Sequence, residues 1–160
     1  MLASHGVDYV IVGGFAAAAH GADRLTFGVD IVPEASRDNM TRLSAALVEL
    51  GAVLRIPGGD TVEFPIDASS LATMELSTWR TKAGDLDVIR GIPRTSMTDL
   101  ATYRDLHDRA SVVSAFGLHV ELAALDDIIV SKTTTNRETD RQALPELRRL
   151  ARRSSESDGR

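Results

Sequence analysis

The run Asp8–Val12, closed by Gly13-Gly14, constrains the fold more than any other stretch of the chain. A short apolar run ending in two glycines reads as a buried strand entering a tight turn. Phe15–His20 is alanine-rich and helix-prone, with Gly21 as a natural stop. Phe27–Val32 then returns as a strand, closed by Pro33. The chain thus opens strand, turn, helix, strand, with one aspartate, Asp30, inside the second strand.

Further along, Ser36 caps a helix expected to run through Gly51, with Met40, Leu43, Leu47 and Leu50 at helical spacing. Val53–Ile56, Thr61–Ile66 and Met74–Arg80 read as extended pieces, separated by Pro57-Gly58-Gly59 and Asp67-Ala68-Ser69-Ser70. Pro65 confines the middle piece to an edge. Asp85–Ile89 is a further strand between Gly84 and Gly91. Asp99–Arg109 reads as a helix and Leu118–Leu122 as extended. Helices over Leu125–Thr133 and Glu138–Arg153 follow, the second with a break or restart at Pro145. Alternating strands and helices, then strands, then helices favour α+β over a doubly wound parallel sheet.

At 160 residues, 43% of them apolar, the chain suits one domain with a real core. We expect a single domain over residues 1–153, sheet-rich to 98 and mainly helical from 99, followed by a disordered tail at 154–160. A net charge of -5 argues against a broad basic face for nucleic acid. A local basic groove stays open, because seven of the 18 basic residues lie from Arg137 onward. With no cysteine, disulfides, thiolate metal sites and cysteine nucleophiles are excluded. No apolar run has membrane-spanning length and no signal segment is visible, so a cytoplasmic protein without membrane attachment is expected.

Strand alternation brings the carboxylates into question. Positions 28, 30 and 32 share one face of their strand, and Asp85, Asp87 and Ile89 share one face of theirs. If the strands are neighbours, Asp30, Asp87 and Asp85 converge. Clustered carboxylates repel and resist desolvation, and a cation relieves both. Hard oxygen ligands beside phosphate favour Mg²⁺. The plain alternative is aspartates at strand ends, in water. Gly13 and Gly14 either offer backbone N–H groups to a phosphate or simply turn the chain. Arg24 and Thr26 precede the Asp30 strand and either contact a ligand or cap the local turn.

Lys132 falls on the apolar stripe 125, 128, 129, 132, and Asp140 falls on the stripe of Leu144 and Leu147. Two such charges either pair with each other or serve a ligand, Lys132 holding a triphosphate and Asp140 orienting it or the nucleophile. His5, His20, His107 and His119 have no metal-ligand spacing. His20 lines a pocket or ends its helix against the dipole. Trp79 and Tyr103 read as core or interface aromatics. Arg148–Arg153 is either a solvated helix face or a tRNA-contacting patch.

Together these residues resemble the AbiEii/MenT-type nucleotidyltransferase-like toxins, within the DNA polymerase β-like superfamily. The resemblance lies in Gly13-Gly14-Phe15-Ala16, His20-Gly21, Arg24-Leu25-Thr26 and Val29-Asp30-Ile31. It continues in Gly84-Asp85-Leu86-Asp87-Val88-Ile89, in Leu125-Asp126-Asp127-Ile128-Ile129-Val130-Ser131-Lys132 and in Asp140. It spans about residues 7–150. It implies a small mixed sheet flanked by helices, with a C-terminal helical segment and a cleft for Mg²⁺ and a nucleoside triphosphate.

By position, Gly13 and Gly14 would hold phosphates, Asp30 and Asp87 metal, and Lys132 the triphosphate, with Asp140 as the second polar residue of the last block. The implied activity is nucleotide transfer to RNA, at the 3′ end of tRNA, by a toxin with a cognate antitoxin. The chain departs from the pattern at Gly28, where the resemblance calls for the first metal-binding aspartate. Three accounts of Gly28 stand: an inactivated variant of a toxic protein, a pseudoenzyme that still binds nucleotide or partner, or a site completed by Asp85.

Overall fold

The structure, a computed structural model, describes every residue except Arg24, Leu25, Phe27, Phe116, Gly159 and Arg160. After a short 3-10 turn at Ala3–His5, β1 (Tyr9–Val12) leads into α1 (Gly13–Ala19), then β2 (Gly28–Pro33) and α2 (Arg37–Glu49). Next come β3 (Val53–Arg55), β4 (Thr61–Val62), α3 (Ala68–Thr73), β5 (Leu76–Thr81) and β6 (Gly84–Ile89). The chain continues with β7 (Ile92–Pro93), β8 (Leu100–Ala101), α4 (Tyr103–His107), β9 (Ser111–Ala115) and β10 (Leu118–Leu122). It closes with α5 (Leu125–Thr135) and α6 (Glu138–Asp158).

Among the described residues, eight strands form one mixed sheet in the order β4-β3-β5-β6-β2-β1-β10-β9, and β7 pairs with β8 in a separate ribbon. β2 runs parallel to β6 and β1 runs parallel to β10, while the other pairs are antiparallel. The fold is α+β, a mixed sheet flanked by helices, as expected. Register assigns the faces. Val12 opposes Asp30 on one side and Asp87 opposes it on the other, so these three share a face. The opposite face carries Ile31, Leu86, Val88 and Trp79, all buried with the α2 stripe Met40, Leu43 and Leu47 in one core.

Local chemistry explains several boundaries. Ser36 accepts from the Asn39 N–H and starts α2 as expected. Buried Asn39 then ties the helix to the sheet, donating to the Asp8 and Glu34 carbonyls and accepting from the Asp8 N–H. Trp79 lies in the core, its indole N–H donating to Ser77 Oγ at 2.8 Å.

Four expectations are corrected. Asp67–Ser70 is not merely a separator, because the Asp67 carboxylate accepts from the Ser69 and Ser70 N–H groups and starts α3. The helix expected over Asp99–Arg109 shortens to α4, because Leu100–Ala101 pair with β7 and Asp105 accepts from the Thr102 N–H at the helix start. Pro145 does not break α6; it removes the N–H that would have bonded the carbonyl of exposed Arg141, one ladder bond only. Finally, α6 continues to Asp158, so the expected tail is helical to that point, there being no glycine or proline between Pro145 and Gly159 to stop it. No helix among the described residues is long and apolar enough to cross a membrane.

Candidate functional site: a carboxylate pair beneath a cationic hairpin

β1 ends where α1 begins, and that junction forms one wall of a cleft of about 410 Å³. Gly13 has φ +65, a left-handed conformation that L side chains rarely adopt. A Cβ on it would come 2.2 Å from Asp30 Oδ2, so the carboxylate occupies the space a side chain would need. Asp30 is register partner of Asp87, and both line the cleft. Parallel neighbouring strands thus present two carboxylates at one level, as alternation predicts for facing positions. Burial pushes the Asp30 carboxyl above its ordinary range, and the charge of Asp87 adds to that. The Gly14 backbone N–H, Lys132 and Arg137 pull in the other direction without cancelling it.

The opposite wall is a helical hairpin. α5 ends at Asn136, whose φ of 49 is left-handed, and its N–H closes on the Lys132 carbonyl at 3.0 Å. That reversal turns α6 back so that Lys132 Nζ lies 2.9 Å from Asp140 Oδ1. The other Asp140 oxygen accepts from the Thr135 hydroxyl at 2.6 Å and from the Arg137 N–H at 3.3 Å. Asp140 is only 6% exposed. Burial works against its ionised form, but the hydrogen bonds from Thr135 and Lys132 outweigh it, so the carboxyl titrates below its usual range. Of the two readings of these inward charges, the structure displays the mutual pair. Both also line the cleft that holds Asp30 and Asp87, and Lys132 acts electrostatically on Asp30.

Other sequence candidates fall elsewhere. Asp85 is the register partner of Gly28, but its carboxylate is taken by Arg55 at 2.6 Å, with Arg80 at 4.0 Å, and it does not line the cleft. The Thr26 hydroxyl donates to the Gly28 carbonyl at 2.9 Å, the turn-capping alternative. Arg24 lies outside the described residues. His20 bonds the Ala123 carbonyl at 2.9 Å, fastening the end of α1 to the strand exit rather than lining the cleft. Tyr103 stacks on His107, with ring centroids 5.3 Å apart. Arg148, Arg149, Arg152 and Arg153 are exposed along α6.

Sequence reasoning missed Arg137. It lines the cleft at the start of α6 and acts electrostatically on Asp30. The available signal was its position, a cation in the short link between two inward charges. Also missed was the apolar end of the cleft, formed by Leu76, Ile89, Ile92, Pro93 and Met97.

Among the described residues no group of three or more His, Cys, Asp or Glu side chains is arranged to hold a metal ion. The donor set that exists is the Asp30–Asp87 pair. Two hard carboxylate oxygen donors, one of them disfavoured as an anion by burial and by its neighbour, fit one divalent cation of the Mg²⁺ type.

No family model and no curated protein matches the chain. Among solved structures, it is similar to one described as a "putative nucleotidyltransferase" from Thermotoga maritima. That match has 14% identity and a TM-score of 0.47, and covers 95% of this chain and 81% of the other.

Proposed function

We propose that the cleft binds a nucleoside triphosphate together with a divalent cation, and that the chain is a nucleotidyltransferase-like protein with weakened transfer activity. One observation carries this reading. Asp30 and Asp87 stand side by side on the floor of a cleft whose facing wall supplies Lys132 and Arg137. Anionic donors for a cation, opposed by cations for phosphate, suit a substrate that brings phosphates and metal together.

In this reading Asp30 and Asp87 hold the Mg²⁺, which supplies charge neutralisation at the phosphates. Arg137 and Lys132 draw the triphosphate tail into the cleft, and the Gly13–Gly14 junction sets the depth to which it enters. An acceptor hydroxyl displaces pyrophosphate from the α-phosphate, leaving a nucleoside monophosphate on the acceptor. The sequence resemblance supports RNA as the acceptor class, with the tRNA 3′ end as the site and a cognate antitoxin as partner in a toxin–antitoxin pair. Weakened activity follows from Gly28, which leaves Asp30 and Asp87 as the two metal-binding carboxylates where the resemblance calls for three.

Gly28 equally supports a second reading, a module that binds nucleotide or a protein partner without transferring anything. Calorimetry with Mg²⁺ and each of the four ribonucleoside triphosphates, followed by transfer of α-labelled nucleotide to tRNA, separates the two. Binding that requires Mg²⁺ supports the nucleotide site, and label on tRNA supports transfer. Absence of Mg²⁺-dependent binding to all four would overturn the nucleotide reading outright.

A further inference from the structure

The cleft has two chemically different arms along one floor. Asp30, Asp87, Lys132, Arg137 and Asp140 supply its charged arm. From Asp87, β6 runs on to Ile89, whose register partner on β5 is Leu76. There the lining becomes apolar: Leu76, Ile89, Ile92, Pro93, Met97 and Leu100. Leu76 and Met97 are each 59% exposed, two large apolar side chains open to water over the same hollow. The apolar arm has one charged residue at its lip, Glu75, whose carboxylate has no hydrogen bond or ion pair among the described residues.

We propose that this apolar arm is a nucleobase subsite, and that Glu75 makes it favour bases carrying an amino group over uracil. The inference rests on reading the charged arm as a triphosphate site. A nucleotide is itself two-ended, with anionic phosphates at one end and a flat base with apolar faces and a polar edge at the other. Apolar walls with a few placed polar groups are what binds and orients such a group. The faces of the base cover Leu76 and Met97, and its edge meets Glu75. A carboxylate offers only acceptor oxygens. Cytosine, adenine and guanine each bring an amino N–H to that edge. Uracil brings one N–H between two carbonyl oxygens, whose lone pairs oppose the carboxylate. Continuity with the charged arm commits the occupant to the base of the nucleotide whose phosphates lie beside Asp30 and Asp87.

The test is calorimetry on the full chain with Mg²⁺, using inorganic triphosphate, CTP, ATP, GTP and UTP. Three proteins are compared: the wild type, Glu75→Gln, and the double variant Leu76→Ser/Met97→Ser, with thermal melts to verify folding. Both positions of the double variant are exposed, so its core is untouched. We expect inorganic triphosphate to bind, and the amino-bearing nucleotides to bind about tenfold tighter than UTP, the size of one good base-edge contact. The double variant brings all four nucleotides down to the affinity of inorganic triphosphate without changing the latter. Glu75→Gln removes the discrimination against UTP. If inorganic triphosphate binds as tightly as the nucleotides, the base subsite is overturned while the triphosphate site stands; UTP binding as tightly as CTP overturns the preference assigned to Glu75. An undiminished preference in Glu75→Gln overturns the role of Glu75. If neither inorganic triphosphate nor any nucleotide binds, the triphosphate site falls and the base subsite with it.

Discussion

Asp30 reaches into the space above Gly13 so closely that a methyl group on Gly13 would meet its carboxylate oxygen at 2.2 Å. The relationship is doubly exclusive, because the φ of +65 at Gly13 disfavours any side chain even without Asp30. Gly13→Ala therefore both strains the turn and pushes Asp30 away from Asp87. We expect a loss of about 1–3 kcal/mol in denaturant unfolding, with loss of Mg²⁺-dependent nucleotide binding. Glycine-like stability in Gly13→Ala would mean that the turn relaxes around the methyl group.

Asp30 itself is costly to the fold. Its carboxyl is raised first by burial and then by Asp87, so between the ordinary and the raised value the native state holds a proton that the unfolded chain has released. Stability consequently falls as pH rises from the ordinary aspartate range through the raised native value. Asp30→Asn removes that slope, and at neutral pH in chelator it raises the melting temperature by about 2–4 °C, the response to a small stabilisation in a domain of this size. Mg²⁺ then no longer shifts the melt. A melting temperature that falls in Asp30→Asn would contradict this account.

Lys132 and Asp140 make the opposite case, a charge pair the hairpin depends on. Lys132→Met leaves buried Asp140 without its cation, and we expect about 3 kcal/mol of destabilisation. Lys132→Met/Asp140→Leu removes both charges and recovers most of it, since apolar replacement of a whole buried pair is often close to neutral. Denaturant unfolding of the single and double variants measures the coupling. Additive losses would show the two side chains acting independently.

A carboxylate at position 28 tests what the site lacks. On the proposed reading, Gly28→Asp restores the carboxylate that the sequence resemblance calls for, and transfer to RNA is then expected to rise by orders of magnitude, with growth toxicity rising in parallel. The substitution has a packing cost, because a Cβ there lies 3.1 Å from the Asp85 carbonyl oxygen. Gly28→Ala isolates that cost, expected as about 1 kcal/mol of overpacking. An unchanged transfer rate in a folded Gly28→Asp protein would refute the expected gain.

His107 offers a second pH signature, in a different range. Its hydrogen bond to Glu121, 2.8 Å long, and the charge of Glu121 raise the imidazole above its ordinary value. Stability from this pair is complete below the ordinary histidine range and is lost as pH rises through the raised value. The pair is partly exposed and screened by water, so the effect on the melt is small. His107→Gln flattens the melting temperature across that window and leaves the acid slope from Asp30 intact.

Much of the fold was legible because period and capping agree. The α2 stripe Met40, Leu43, Leu47 and Leu50 is buried, and Ser36 caps where its residue type says it should. What was not legible depends on partners far along the chain. Strand β9, Ser-Val-Val-Ser-Ala, is an edge strand with exposed Val112, and only its pairing to β10 makes it a strand. Six-residue α3 has no room for a helical period, and Asp67 reads equally as a turn residue. In the site, alternation placed Asp30 and Asp87 on comparable faces, but their pairing needed the β2–β6 register. The inward positions of Lys132 and Asp140 were visible, while their mutual contact needed the left-handed turn at Asn136. Arg137 carried no periodic signature.

The hairpin has a consequence for the order in which the protein can be assembled on the ribosome. The glycine turn and both carboxylates are complete by residue 87, whereas Lys132, Arg137 and Asp140 belong to the last quarter of the chain. A nascent chain that has emerged only through β6 owns an acidic floor with no cationic roof, and β1 still lacks its parallel partner β10. The cations of Lys132 and Arg137 therefore join the cleft only after the strands carrying Asp30 and Asp87 have been made.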